Sequence, residues 1–145
     1  MDWRREAADK LKSYTARRTA VKTVENNILA AEMKMTSIRS ATSDGTPVRG
    51  GSSTREDMMI NVITEIEEMK KEQKLNRMWL ESVDTALDVL SSQEKHILDS
   101  FYIHSERGNV DKLCSELHLE KTRIYELRTA ALRKFTLALY GAVES

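Results

Sequence analysis

The sequence predicts an all-α protein in which a long helical hairpin or coiled coil precedes a smaller helical domain. Apolar residues recur at steps of three and four over most of the 145 residues, which is the period of a helix with one buried stripe. The chain contains 1 proline and 5 glycines, and the proline and three of the glycines fall between residues 41 and 54. Because glycine and proline interrupt helices, we expect long helices on both sides of that segment.

The first helix is predicted over residues 3–38, with an apolar stripe that Arg17 and Arg18 interrupt. Residues 41–54 combine their glycines and proline with serine, threonine and aspartate, a composition that favours turns over helix. We therefore expect a flexible, glycine-rich loop over residues 41–54.

The start of the second helix is predicted from two hydroxyl–carboxyl pairs. Ser53 precedes Glu56 by three residues, and Thr54 precedes Asp57 by the same spacing. In a capping box the hydroxyl accepts from a free backbone N–H and the carboxylate accepts from the cap residue. The second helix is accordingly predicted to begin near Arg55.

Residues 55–90 carry the most regular pattern in the chain, a heptad seam with steps of four and three. Two of its members, Gln73 and Asn76, are polar, and a buried amide in a seam can fix the register of packing. The complete seam consists of Val62, Ile66, Met69, Gln73, Asn76, Leu80, Val83, Leu87 and Leu90.

The charge distribution suggests a partner for this long helix. Residues 1–55 hold 11 basic and 6 acidic residues, whereas residues 56–90 hold 4 and 9. Two segments of opposite charge joined by a loop favour an antiparallel hairpin within residues 1–90. The alternative is a coiled coil between two copies of the chain.

A separate helical domain is predicted over residues 91–145. Ser91 and Glu94 form another capping-box pair, so a helix should begin at Gln93 and run through Tyr102. Gly108 and Asn109 should end this region. A short helix over residues 110–117 and a long helix over residues 121–140, closed by Gly141, should follow.

The apolar residues of the two last helices have the spacing of a helix-turn-helix. We expect His118 in the turn to adopt a positive φ, a region in which histidine is enriched among non-glycine residues. A three-helix bundle with a sharp corner is the alternative interpretation. The residues predicted to face inward are Leu113, Cys114, Leu117, Leu119, Ile124 and Leu127.

The opposite side of the last helix is basic. Residues 121–134 contain five basic residues and a single acidic one, although the whole chain has 23 of each. In a helix-turn-helix that reads DNA, the first turns of the second helix meet base edges in the major groove, while nearby cations contact phosphates. On this hypothesis the base-reading residues are Lys121, Thr122, Tyr125 and Glu126, and the phosphate contacts come from Arg123, Arg128, Arg133 and Lys134.

About 50 residues of this region resemble region four of bacterial primary sigma factors, which reads the minus-35 promoter element. The resemblance is carried by LSSQEKHILDSFY and DKLCSELHLEKTRIYELRTAALRKF. It implies DNA reading by Lys121, Thr122, Tyr125 and Glu126. The family usually has arginine, glutamate and arginine at the first three of these positions, so a different target sequence is implied.

Nearly the whole chain is similar to a prophage-encoded family of sigma-like helix-turn-helix proteins, akin to phage late-gene activators of the RinA and ArpU kind. The similarity is carried by the SDGTPVRGG loop, the MWLESVDTAL segment and the FTLALYG ending. It implies DNA binding and control of phage genes.

Several classes of function receive no support from the sequence. A single cysteine cannot form a disulfide within the chain, and the three histidines lack metal-ligand spacing, so we expect no cofactor and no metal. We find no nucleophile arrangement and expect no enzymatic activity. Because the sequence has no long apolar run, we expect neither an export signal nor a membrane span. A reducing cytoplasm is the compartment that fits the sequence best.

The sequence thus predicts a transcription regulator that binds double-stranded DNA, with RNA polymerase and a second copy of the chain as further partners. Two alternatives belong to other classes. One is a DNA-packaging recognition subunit resembling a small terminase, which also couples a helix-turn-helix to helical oligomerisation. The other is an adaptor that binds RNA polymerase without reading DNA.

Overall fold

A computed structural model describes residues 1–40 and 51–142, with side chains described from residue 54 in the second range. The described residues form helices and short connections and contain no strand, so the prediction of an all-α fold is confirmed. In chain order the helices are α1 Trp3–Ser40, α2 Gly51–Asp88, α3 Ser92–Leu98, a π-helical segment Asp99–Ile103, α4 Asn109–Leu117 and α5 Lys121–Tyr140.

The helix α2 begins earlier than the sequence predicted. It starts at Gly51, so Ser53 and Thr54 lie inside the helix, and the prediction that these residues cap a helix beginning near Arg55 is wrong. A capping box specifies a helix start only where the preceding residues leave the helix, and here they continue it. Residues 41–50 of the predicted glycine-rich loop lie outside the described residues.

The predicted seam is confirmed, because each of its nine residues is buried or half-buried, eight of them within α2 and Leu90 just beyond its end at Asp88. The most deeply buried members are Val83, Val62, Asn76 and Leu90. Asn76 is 5% exposed, so the helix buries an amide where the sequence placed one.

The described chain divides into two compact units, of which the first comprises Met1–Arg18 and Met78–Ser145. These units are defined by compactness and are not the two domains predicted over residues 1–90 and 91–145. That domain division stays a prediction. The core of the first unit draws side chains from α1, α2, α3 and α5, and Phe135 is the largest of its fully buried members. The buried core residues are Ala7, Leu11, Val83, Ala86, Leu90, Leu98, Ala131 and Phe135.

Contacts between α1 and α2 within the first unit include a hydrogen bond and a cation–π contact. The Tyr14 hydroxyl donates to Oδ1 of Asp84 at 2.5 Å, and the Arg17 guanidinium lies 5.2 Å from the centroid of the Trp79 ring. Burial, followed by the hydrogen bond to Asp84, raises the pKa of Tyr14 above its usual value.

The second compact unit comprises Thr19–Arg77 and has a separate core. Its side chains also come from both long helices, so α1 and α2 pack against each other in this unit within one chain. The partly buried methionines Met35, Met59 and Met69 extend the cluster. Its buried members are Val24, Ile28, Ala31, Ile38, Val62 and Ile66.

The helix α3 has the capping box that the sequence predicted. The Ser91 N–H donates to Oε1 of Glu94 at 3.0 Å, and the Glu94 N–H donates to Oγ of Ser91 at 3.2 Å. The backbone hydrogen bond from Ser91 holds the pKa of the Glu94 carboxyl below its usual range. Reciprocal capping of this kind satisfies donors that a helix start leaves open.

Two glycines bound the last helices at positions where the backbone is left-handed. Gly108, with φ of 80°, precedes α4, and Gly141, with φ of 75°, follows α5 and donates its N–H to the Leu137 carbonyl at 2.8 Å. Glycine adopts this conformation without steric cost. The predicted end of the long helix at Gly141 is confirmed.

Candidate nucleic-acid interface

A compact apolar cluster fixes the orientation of α5 relative to α3 and α4. Ile97, Leu113 and Ile124 come from these three helices and are at most 1% exposed. The six residues that the sequence predicted to face inward all belong to this cluster. Its partly buried members are Phe101, Val110, Cys114, Leu117, Leu119 and Leu127.

The turn between α4 and α5 has the backbone conformation that the sequence predicted. His118 has φ of 55° and ψ of 45°, and it is the one non-glycine residue with positive φ in the described part of the chain. The Leu119 N–H donates to the carbonyl of Cys114 at 3.2 Å, which closes the turn. The left-handed residue lets α5 start in a new direction directly after α4.

The side of α5 that faces away from the cluster is open to solvent. Of the eight residues predicted to contact DNA, only Arg128 is half-buried, while Tyr125 is 43% exposed and the others are also exposed. Since Ile124, Ala131 and Phe135 on the opposite side are fully buried, the helix has one core face and one surface face. The exposed predicted residues are Lys121, Thr122, Arg123, Tyr125, Glu126, Arg133 and Lys134.

Arg128 differs from the expectation that it points outward like its neighbours. Its guanidinium lies 5.1 Å from the centroid of the Phe101 ring and 5.2 Å from that of Tyr125. The two rings also contact each other, with centroids 5.9 Å apart. A guanidinium over aromatic faces is attracted to them, so the contacts of Arg128 with the two rings account for its partial burial.

Three basic residues of this surface are paired with carboxylates at its edges. All six side chains are at least partly solvent-exposed, and ion pairs of this kind contribute about 0 to 1 kcal/mol. Such weak pairs can be exchanged for a stronger anionic partner. The pairs are Lys121 with Asp111 at 3.4 Å, Arg123 with Glu126 at 3.1 Å, and Lys134 with Glu94 at 3.3 Å.

The exposed face of α5 forms the floor of an open furrow of about 650 Å³. Arg133 borders it from α5, and Arg4 borders it from the first turn of α1. The floor exposes more carbon than polar surface, with hydroxyl and carboxylate groups between. The floor residues are Thr122, Tyr125, Glu126, Thr129 and Ala130.

Sequence reasoning missed three residues of this furrow, namely Arg4, Thr129 and Ala130. The helical period places Thr129 and Ala130 on the same face as Thr122 and Glu126, so that signal was present in the sequence. Arg4 lies more than a hundred residues away in the chain, and no local pattern connects it to α5.

Two of the three histidines of the first unit each pair with a single carboxylate. Nε2 of His96 lies 2.6 Å from Oε2 of Glu116, and Nδ1 of His104 lies 2.8 Å from Oδ1 of Asp99. In residues 1–40 and 51–142, no three His, Cys, Asp or Glu side chains are grouped as a metal ion would require. Over the same residues, no helix combines the length and apolar character needed to cross a membrane.

Comparison with known proteins does not assign the chain to a family. No protein-family model matches it, and neither a curated protein nor a solved structure matches it significantly.

Proposed function

We propose that the protein binds double-stranded DNA in a sequence-specific manner and regulates transcription, with α4 and α5 acting as a helix-turn-helix. One observation carries the proposal. The helix α5 fully buries Ile124, Ala131 and Phe135 on one face, and its exposed face carries four of the five basic residues of 121–134. An exposed cationic helix that starts at a sharp turn is the element that such proteins insert into the major groove.

The first two turns of α5 supply the proposed base contacts. Lys121 and Thr122 stand at its N-terminal end, and Tyr125 and Glu126 follow one turn later on the exposed side. Their ammonium, hydroxyl and carboxylate groups are donors and acceptors that distinguish base pairs in the major groove. The Tyr125 ring contacts the Arg128 guanidinium, with 5.2 Å between the guanidinium and the ring centroid.

Phosphate contacts are proposed for Arg123, Arg128, Arg133 and Lys134. Binding would exchange the Arg123–Glu126 and Lys134–Glu94 pairs for contacts with phosphate oxygens. This exchange is favourable because the pairs are solvent-exposed and weak, whereas DNA presents a dense array of negative charge and releases bound counterions.

The resemblance to phage late-gene activators extends the proposal to its biological setting. A regulator of phage genes would act in the cytoplasm of the host cell and would contact RNA polymerase near the promoter. A single helix-turn-helix makes few contacts, so a second copy of the chain, joined through the long helices, would supply useful affinity for a paired site.

The proposal is tested by the salt dependence of binding to a labelled duplex, followed by fluorescence anisotropy. Simultaneous replacement of Arg123, Arg128 and Arg133 by alanine should reduce the slope of log affinity against log salt by about 0.9 for each phosphate that is no longer neutralised. Replacement of the exposed Lys70, Lys71 and Lys74 removes the same charge and should leave the slope unchanged.

Two outcomes would favour the alternative functions. Binding to duplex that is unaltered by the triple arginine variant would contradict DNA contact through α5 and would favour the polymerase adaptor. A ring of eight or more chains in light scattering would favour a DNA-packaging subunit.

A further inference from the structure

We propose that Arg4, at the N-terminal end of α1, contacts the DNA phosphate backbone beside α5, so that α1 and α5 build one interface. This inference rests on the proposed DNA binding by α5. It adds a phosphate-contacting residue from a helix that the sequence placed in a different domain.

The first turns of α1 are fixed against the core of the unit that contains α5. Ala7 and Leu11 are fully buried in the same cluster as Ala131 and Phe135. The Trp3 ring lies 4.8 Å from the ring of Tyr140, and Nζ of Lys10 lies 4.9 Å from the centroid of that same ring. This end of α1 is therefore anchored at three successive turns.

The anchoring directs Arg4 toward the exposed face of α5. Trp3, Ala7 and Leu11 occupy one stripe of α1, and Arg4 follows that stripe by one residue, about 100° around the helix. Its side chain is exposed and, like Arg133, lines the furrow. It also borders the adjoining cleft, which Arg5, Arg128 and Thr129 line as well.

The chemistry of this position suits a phosphate. In the described part of the chain, neither Arg4 nor Arg133 forms an ion pair, whereas Lys121, Arg123 and Lys134 each have a carboxylate partner. A guanidinium presents a planar fork of donors that matches two phosphate oxygens. Arg4 can therefore accept a phosphate without first breaking an intramolecular pair.

The arrangement also matches how a duplex would approach. A helix in the major groove has phosphates along both of its sides, and these contacts fix its orientation without reading sequence. The helical period places Arg123 and Lys134 on one side of the exposed face of α5, while Arg4 lines a cleft together with Thr129. The furrow is thus bordered by cations from two helices.

The test compares Arg4→Ala with wild type by anisotropy, using a labelled random-sequence duplex and a duplex with a selected target motif. Arg4→Ala should reduce the salt slope by about 0.9 and leave the ratio of the two affinities unchanged, since phosphate contacts carry no sequence information. Arg4→Lys keeps the charge and should retain most of the slope.

The matched control is Lys22→Ala, which removes one exposed positive charge from the same helix. Lys22 lies 18 residues further along α1 and belongs to the second compact unit, whereas Arg4 and the furrow belong to the first. This variant should bind like wild type.

Two results would overturn the inference, and they are distinguishable. If wild type binds with a salt slope that Arg4→Ala leaves unchanged, the role of Arg4 is refuted and the function proposed for α5 stands. If wild type does not bind duplex at all, the proposed function fails and this inference fails with it. Because Arg4 is exposed, an unchanged circular dichroism melt will establish that the variant is folded.

Discussion

Replacing Leu11 with alanine should lower the free energy of unfolding of the first compact unit by about 3 kcal/mol. Leu11 is 0% exposed and lies in a cluster with Leu98, Ala131 and Phe135. The substitution removes three carbon atoms, worth about 0.8 kcal/mol each when fully buried, or about 2.4 kcal/mol. The cavity left in a core of several helices adds roughly a further 1 kcal/mol.

The assay is urea denaturation followed by tryptophan fluorescence. Both tryptophans, Trp3 and Trp79, belong to the first unit, so the signal reports the part of the chain that contains Leu11. The matched control is Leu137→Ala, which makes the same chemical change in the same compact unit at a side chain that is 54% exposed. That variant should change the free energy by less than about 0.5 kcal/mol.

Equal stability of the Leu11→Ala and Leu137→Ala proteins would refute the reasoning. It would mean that the N-terminal end of α1 does not belong to the core of the unit that holds α5. The position of Arg4 beside the furrow depends on the same packing, so it would be refuted as well.

Substitutions at four further positions test other parts of the first unit. The Tyr140 hydroxyl is buried and has no hydrogen-bond partner among the described residues, so Tyr140→Phe should leave stability unchanged or raise it by up to about 1 kcal/mol in urea denaturation. Tyr14→Phe is its control, because it removes a hydroxyl that donates to a carboxylate, and it should cost about 1 kcal/mol. The N–H of Ser91 lowers the pKa of the Glu94 carboxyl in the folded protein. The stability that the ionised carboxylate contributes is therefore present above the pKa of this carboxyl in the unfolded chain, and it is lost as the pH falls through the lower pKa of the folded state. Thermal melts should show that the stability difference between wild type and Glu94→Gln shrinks from about pH 5 to about pH 3, and a constant difference would contradict the role of the carboxylate. His118 has positive φ, so His118→Val should be less stable than His118→Gly by about 1 to 2 kcal/mol in the same melts, and the opposite order would contradict the turn geometry.

The sequence correctly predicted those parts of the fold whose conformation is specified by neighbouring residues. The Ser91–Glu94 box, the left-handed His118 and the helix end at Gly141 depend on a few neighbouring residues. The seam of α2 was predictable because its period repeats over nine positions, so single ambiguous residues did not obscure it.

The features that the sequence did not predict depend on contacts between distant residues or on competing local signals. Thr54 has capping chemistry, yet it lies within α2. Helix α3 continues directly into a π-helical segment, in which the His104 N–H donates to the Asp99 carbonyl at 2.8 Å. No residue type specifies such a segment by itself.

The residues of the candidate interface were likewise predictable only where they depend on a pattern within one helix. The exposed face of α5 follows from the helical period, so most of its residues were predictable. The half-burial of Arg128 depends on Phe101, which belongs to another element, and the presence of Arg4 depends on packing between α1 and α5. Patterns within one segment contain no information about either contact.

Selection of bound fragments from a pool of random duplexes tests the central claim, sequence reading by the exposed face of α5, most directly. Wild type should enrich a short motif, and Tyr125→Ala or Glu126→Ala should alter the preference by about 1 to 3 kcal/mol at one base position of it. Recovery of a pool indistinguishable from the input, or of the same motif in the same proportions by both variants, would contradict the claim.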